Sequence, residues 1–170
     1  DVSPTTVNRY VDYLEGAFMI RKLMPYYANI GKQLVKSPKI YFCDTGLLHH
    51  LSDIISPKQL LVHPVIGFSW ESYVIEQICQ LLPGTIHPYF YRTHDGSELD
   101  LVLVKGIKII ATIEIKWSSA PKISRGHTES IKSLNCKQNY LIIPQDEPVF
   151  PITPLIKTVG LRYFLNTVLP

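Results

Sequence analysis

Apolar residues open the chain at i, i+3, i+4 and i+7: Val7, Tyr10, Val11 and Leu14 in "DVSPTTVNRYVDYLEG" carry the spacing of one helical face. Ser3 suits an N-cap and Pro4 the first helical position, so a short amphipathic helix is expected to end near Gly16. The pattern then predicts a strand from Phe18 to Met24, a long hairpin tip in "YYANIGKQLVK", and a returning strand from Lys39 to Cys43. Asp44 caps an expected helix through Leu51, and Ser56-Pro57 marks a linker.

A second pattern begins at "GFSWESYVIEQICQLLPG". Ser69 is the expected cap, and Trp70, Val74, Ile78 and Leu81 form an apolar stripe that stops at Pro83 and Gly84. Strands are predicted at 86–92, 98–104 and 108–116, followed by a polar helix at 124–135 and a short buried strand at 139–144. "LRYFLNTVL" closes the chain as a last helix. The order α-β-β-β-α-β predicts an α/β fold with a mixed sheet and helices on its faces. Two parts are expected: a helix-strand-loop-strand unit at 1–55, the second half of a winged helix, and an α/β domain at 66–170.

Composition narrows the classes. With 46% hydrophobic and 18% charged residues the chain is globular, and no apolar run approaches a membrane span. Cys43, Cys79 and Cys136 are widely spaced without a C-x-x-C pair, so neither a disulfide framework nor a zinc ribbon is expected and a cytoplasmic location is the default. Without an initiating Met, the chain reads as a fragment of something longer. The net charge of +3 is uneven: Arg21 to Lys39 holds five basic residues, including Lys32 and Lys36, and no acidic one. A second basic run holds Lys116, Lys122, Arg125, Lys132 and Lys137. Such runs can attract phosphate backbones, or can simply be solvated surface.

Three charges interrupt the apolar hairpin "SELDLVLVKGIKIIATIEIKWSS": Asp100, Glu114 and Lys116. Charged side chains are seldom buried unless paired or bound to metal. Strand alternation puts Glu114 and Lys116 on one face and Ile113 and Ile115 on the other. A three-residue turn, Lys105 to Ile107, would bring Asp100 opposite Thr112 and onto the face of Glu114; a two-residue turn at Lys105-Gly106 would not. Two converging carboxylates repel each other, and a divalent cation removes that conflict. All-oxygen ligands suit Mg²⁺ or Mn²⁺, and Lys116 beside the ion could orient or help deprotonate an attacking water.

"LD" at 99–100 and "EIK" at 114–116, with thirteen residues between the two motifs, resemble the PD-(D/E)XK motif of the restriction-endonuclease-like nucleases, although Leu99 stands in the place of the proline. The resemblance implies a restriction-endonuclease-like core, with Asp100 and Glu114 as metal ligands, the Ile115 carbonyl as a further ligand, and Lys116 assisting the water. Glu71, in "WESYV", matches the helical carboxylate that many members add. A broader resemblance, carried by "TVNRYVDYLEGAFMIRKLMPYYANIGKQLVKSPKIYFCDTGL", "GFSWESYVIEQI" and "YFYRTHDGSELDLVLV", is to the uncharacterised C-terminal region that follows an AAA-type ATPase domain in many bacterial and archaeal proteins. It implies an N-terminal nucleotide-binding domain as the partner within a longer chain. No nucleotide is expected to bind here: "IGKQL" has Tyr26 where a P-loop needs its first glycine and Gln33 in place of Ser or Thr.

Four residues are nucleic-acid candidates: Lys32, Lys36, Arg92 and Lys122. Arg92 could reach a phosphate or pair with Asp95 or Glu98, and Trp117 could stack on a base or serve as half-buried packing. Glu98 is a spare ligand or a polar edge. His94 and His127 have no partner at ligand spacing and are assigned nothing. The expected activity is Mg²⁺-dependent hydrolysis of DNA phosphodiesters by an accessory domain of an ATPase. The alternative is a catalytically silent domain that binds nucleic acid or protein and regulates that ATPase.

Overall fold

The computed structural model describes residues 2–27, 37–146 and 148–169. Helix α1 (Pro4–Gly16) starts where the sequence places it, with the Ser3 hydroxyl accepting from the Thr6 N–H at 3.2 Å. Strands β1 (Ile20–Leu23) and β2 (Lys39–Phe42) pair antiparallel, with Leu23 opposite Lys39. Asp44 caps α2 (Thr45–Leu51) through the Gly46 N–H.

Two boundaries differ from expectation. Ser56-Pro57, read as a linker, is instead the cap and first position of a short helix α3 (Pro57–Val62), because the same dipeptide suits a helix start as well as a turn. Helix α4 (Ile66–Leu81) begins three residues ahead of Ser69, which is buried within it and bonds His49 Nε2 at 2.7 Å.

Helix α4 is followed by β3 (Ile86–Arg92), β4 (Glu98–Lys105), β5 (Lys108–Ile115), α5 (Arg125–Leu134) and β6 (Asn139–Ile143), in the order that the hydrophobic pattern predicts. Strands β7 (Phe150–Thr153) and β8 (Ile156–Gly160) were not anticipated. The C-terminal segment is a single turn, α6 (Leu161–Tyr163), continued as a π-helical turn through Val168. The sheet has six strands in the order β3-β4-β5-β6-β8-β7, antiparallel at both margins and parallel at β5-β6 and β6-β8. The fold is therefore α/β with a mixed sheet.

Alternation in the strands builds two apolar layers. Leu101, Ile113, Ile115 and Ile142 pack with Val74, Ile75 and Ile78 of α4, while Val102, Leu141 and Ile143 pack with Ile131 and Leu134 of α5. Each large side chain so buried contributes about 2 kcal/mol. The N-terminal unit is built into the α4 layer, because Leu23 and Tyr41 are members of it. Past β1 the chain runs beside β3, with Tyr26 N–H donating to the Phe90 carbonyl at 2.7 Å and Phe90 N–H to Met24 at 3.0 Å. Arg21 adds a two-pronged ion pair to Glu76 of α4, at 2.7 and 3.0 Å.

Candidate functional site

The β4-β5 turn is not the expected three-residue loop. Lys105 pairs with Lys108 across a two-residue turn whose first position, Gly106, has φ +60°, the place that takes glycine in a type II′ turn. A register shift between Leu103 and Val104 then adds a residue to β5, so that Leu101 lies opposite Ile113 as the last pair of the ladder. Bulge and short turn together leave Asp100 beside the end of β5, close enough to Ile115 to bond its N–H and to Glu114 to act on its charge.

A second irregularity, between Tyr89 and Tyr91, alters what Asp100 does. Leu99 and Leu101 fall in opposite apolar layers, so simple alternation fails at Asp100, the residue between them. The β4-β5 ladder ends at Leu101, and the next β5 N–H that faces β4, that of Ile115, is taken by Asp100 Oδ2 at 2.9 Å. Ile115 thus meets the site through its N–H.

The other oxygen of Asp100 faces a cation from the N-terminal unit. Lys39 Nζ, at the start of β2, lies 3.3 Å from Asp100 Oδ1, 3.3 Å from Glu71 Oε1 and 2.5 Å from Glu98 Oε1. Tyr41, two residues on, donates its hydroxyl to Glu71 at 2.6 Å. Burial and the charge of Asp100 raise the Glu71 carboxyl, against the opposing pull of Lys39 and Tyr41. Burial alone would lower the Lys39 ammonium, yet its carboxylate neighbours reverse the shift and hold it firmly charged.

On the adjoining strand Lys116 pairs with Glu114 at 2.7 Å. Glu114 is pushed up to about 7, by burial first and by Asp100 second. Lys116 is raised: burial disfavours its charge, but Glu114 more than offsets this, so it stays an ammonium. The second oxygen of Glu114 is buried without a hydrogen-bond partner among the described residues; 3.8 Å away stands Nδ1 of His127, from α5. Burial drives His127 down to about 4, so the ring is neutral at physiological pH. The four carboxylates thus sit at the C-terminal end of β5 in two linked groups, with Asp100 between them.

The structure brings Glu71, Asp100, Glu114, Ile115 and Lys116 to this end of the sheet. Of the nucleic-acid candidates, Arg92 and Lys122 are described. Arg92 lies 3.6 Å from Glu98, the surface pairing already considered for it; Lys122 is exposed before α5; and Lys32 and Lys36, like the "IGKQL" segment, lie outside the described residues. Trp117 is half-exposed and meets Trp70 edge to face at 5.7 Å.

Residues 66–162 match a family described as a domain of unknown function, DUF4143. The chain belongs to the DUF4143 family. Residues 1–58 match a second domain of unknown function, DUF8612, so Lys39 and Tyr41 reach the DUF4143 carboxylates from the neighbouring family region. The chain is similar to the uncharacterized proteins Mb2031c of Mycobacterium bovis and Rv2008c of Mycobacterium tuberculosis, at 39% identity over 168 residues and 98% of this chain. It spans 37% of the length of each of these relatives. No solved structure matches it significantly. Among the described residues no helix is long and apolar enough to cross a membrane.

The fit of the DUF4143 carboxylates to a divalent cation divides into chemistry and arrangement. The donor set of Glu71, Asp100 and Glu114 is all oxygen and suits Mg²⁺ or Mn²⁺, and the unpartnered Glu114 oxygen is a lone pair in want of a cation. In this arrangement, however, no three His, Cys, Asp or Glu side chains among the described residues form a ready cluster for one ion. Ammonium groups neutralise the carboxylates instead.

Three participants escaped the sequence reading. Lys39 and Tyr41 lie 61 and 30 residues from Asp100 and Glu71, the groups they touch, and His127 had no partner at chelating spacing. The only signal for Lys39 was its place in a basic stretch, where the charge pointed to Lys32 and Lys36 instead.

Proposed function

We propose that this chain is a PD-(D/E)XK-type phosphodiesterase acting on DNA, dependent on Mg²⁺ or Mn²⁺, and an accessory to an AAA-type ATPase domain in a longer protein. The observation that carries the proposal is the carboxylate of Asp100, which joins the Ile115 N–H to the Lys39, Glu71 and Glu98 group, one residue from the paired Glu114 and Lys116. Support comes from the α-β-β-β-α-β order of α4 through β6, the order that the resemblance to restriction-endonuclease-like nucleases implies, and from the greater length of the relatives, which leaves room for an ATPase domain.

Glu71, Asp100 and Glu114 would hold the ion, which would supply a Lewis acid for the phosphate. The chain's own groups divide the remaining work. Lys116, kept charged, can donate to a water or neutralise a phosphoryl oxygen, and does not readily accept a proton at Nζ. Glu114, pushed up to about 7, has to give up its proton before it can hold the ion. His127 closes the site from the α5 side. The DUF8612 region reads as a winged-helix-like unit used for packing, since Leu23 and Tyr41 are spent on the core.

Incubation of supercoiled plasmid with Mg²⁺ or Mn²⁺ tests the activity. Nicking is expected from the wild type and is expected to be lost in Glu114→Ala and Lys116→Ala; equal activity in all three would rule out this site. One observation favours a second reading, a silent domain that regulates the ATPase: Lys39 already neutralises the carboxylates.

A further inference from the structure

We infer that Lys39 is a built-in, exchangeable counter-ion: its ammonium stabilises the carboxylate centre without metal, and a divalent cation enters only when that ammonium withdraws. The inference rests on the metal-dependent reading above and adds the regulation of the same site. Its basis is geometric. Three carboxylates from two elements, Glu71 of α4 and Glu98 and Asp100 of β4, converge on one Nζ within 3.3 Å. The lysine comes from neither element but from β2, in the neighbouring family region.

Two features make the contact separable from the fold. Lys39 opens β2, one residue from Pro38, and it is anchored there by pairing with Leu23 alone at that end of the β1-β2 ladder. Its ammonium is held by the three carboxylates, with the Phe90 ring 5.6 Å from Nζ. Tyr41 is different: it is buried in the core and keeps its hydroxyl on Glu71. Withdrawal of Lys39 would leave Glu71, Glu98 and Asp100 facing one another with like charge, a state that a divalent cation of hard, oxygen-seeking character stabilises far better than water does. Any force that shifts the start of β2, including attachment to a partner domain, would then control metal loading.

The test is Mn²⁺ binding by calorimetry and electron paramagnetic resonance, together with thermal unfolding in EDTA and in Mn²⁺, for wild type, Lys39→Ala and Lys39→Arg. Lys39→Ala is expected to bind Mn²⁺ at least tenfold more tightly than wild type, to melt lower in EDTA, and to recover on adding Mn²⁺; Lys39→Arg, which keeps the charge, is expected to resemble wild type. Lys39→Met, which keeps an apolar stem near Phe90, replaces the alanine variant if that one fails to fold without metal. Unchanged or weaker Mn²⁺ affinity in the charge-free variants overturns the inference, whatever they do to DNA. Tighter binding with no DNA cleavage sustains the role of Lys39 and overturns the phosphodiesterase reading alone.

Discussion

The Nζ of Lys39 lies 3.3 Å from Oδ1 of Asp100 across 61 residues of sequence, and this contact couples the N-terminal unit to the end of the central sheet. The other oxygen of the same carboxylate replaces a backbone acceptor for Ile115. Asp100 is therefore a structural part of the β4-β5 seam as well as a ligand candidate. Asp100→Asn keeps an acceptor for the N–H, whereas Asp100→Ala removes it and leaves that N–H unpaired. Urea unfolding in EDTA is expected to show the alanine variant less stable than the asparagine variant by about 1–2 kcal/mol. Equal stability would show that the N–H finds another partner.

Tyr41 donates to the buried Glu71 at 2.6 Å. Tyr41→Phe preserves the ring and its packing, so the loss expected, about 1–2 kcal/mol, isolates the bond to a charged acceptor. Chemical denaturation measures it. No change would mean that Lys39 alone satisfies Glu71.

Arg21 and Glu76 tie β1 to α4 through two hydrogen bonds, with the carboxylate far more buried than the guanidinium. Arg21→Met strands the buried carboxylate and is expected to cost about 2–3 kcal/mol, less than a fully buried pair because the arginine is partly solvated. Arg21→Met combined with Glu76→Gln is expected to recover part of that loss. A double-mutant cycle with no coupling would contradict the pair's role.

Glu114 supplies the pH dependence. Its folded pKa of about 7 lies above the ordinary 4.5, so it favours the fold below 4.5 and this contribution is lost as pH rises through 7. Glu114→Gln cannot ionise, so its stability relative to wild type is expected to improve by on the order of 2 kcal/mol between about pH 5 and pH 8. His127, neutral down to about 4, affects both proteins alike and cancels in the comparison. Metal binding has to displace the Glu114 proton, so Mn²⁺ affinity is expected to rise with pH and level off above about 7. A pH-independent stability difference, read from melting curves, would contradict the shift.

Much of the scaffold was legible because its signals are local. Ser3-Pro4 capped α1, apolar runs marked β3 to β5, and 124–135 stood out as a weak polar helix where α5 lies. Errors arose where one local signal has two uses, as with Ser56-Pro57, or where strands are short and proline-bearing, as with "FPIT" in β7. The site was legible in part. Glu114 and Lys116 share a face by strand period alone, but the approach of Asp100 depends on a β5 bulge that no turn residue announces. Lys39 was invisible as a partner because a charge in a basic stretch looks the same whether it faces solvent or a carboxylate in another element.

The most direct measurement is the anomalous diffraction of a crystal grown with Mn²⁺. A manganese peak is expected, bonded to carboxylate oxygens of Asp100 and Glu114, with Glu71 beside it and the Lys39 ammonium displaced. A map at saturating Mn²⁺ with Lys39 still bridging Glu71, Glu98 and Asp100, and with no peak among these carboxylates, would contradict it.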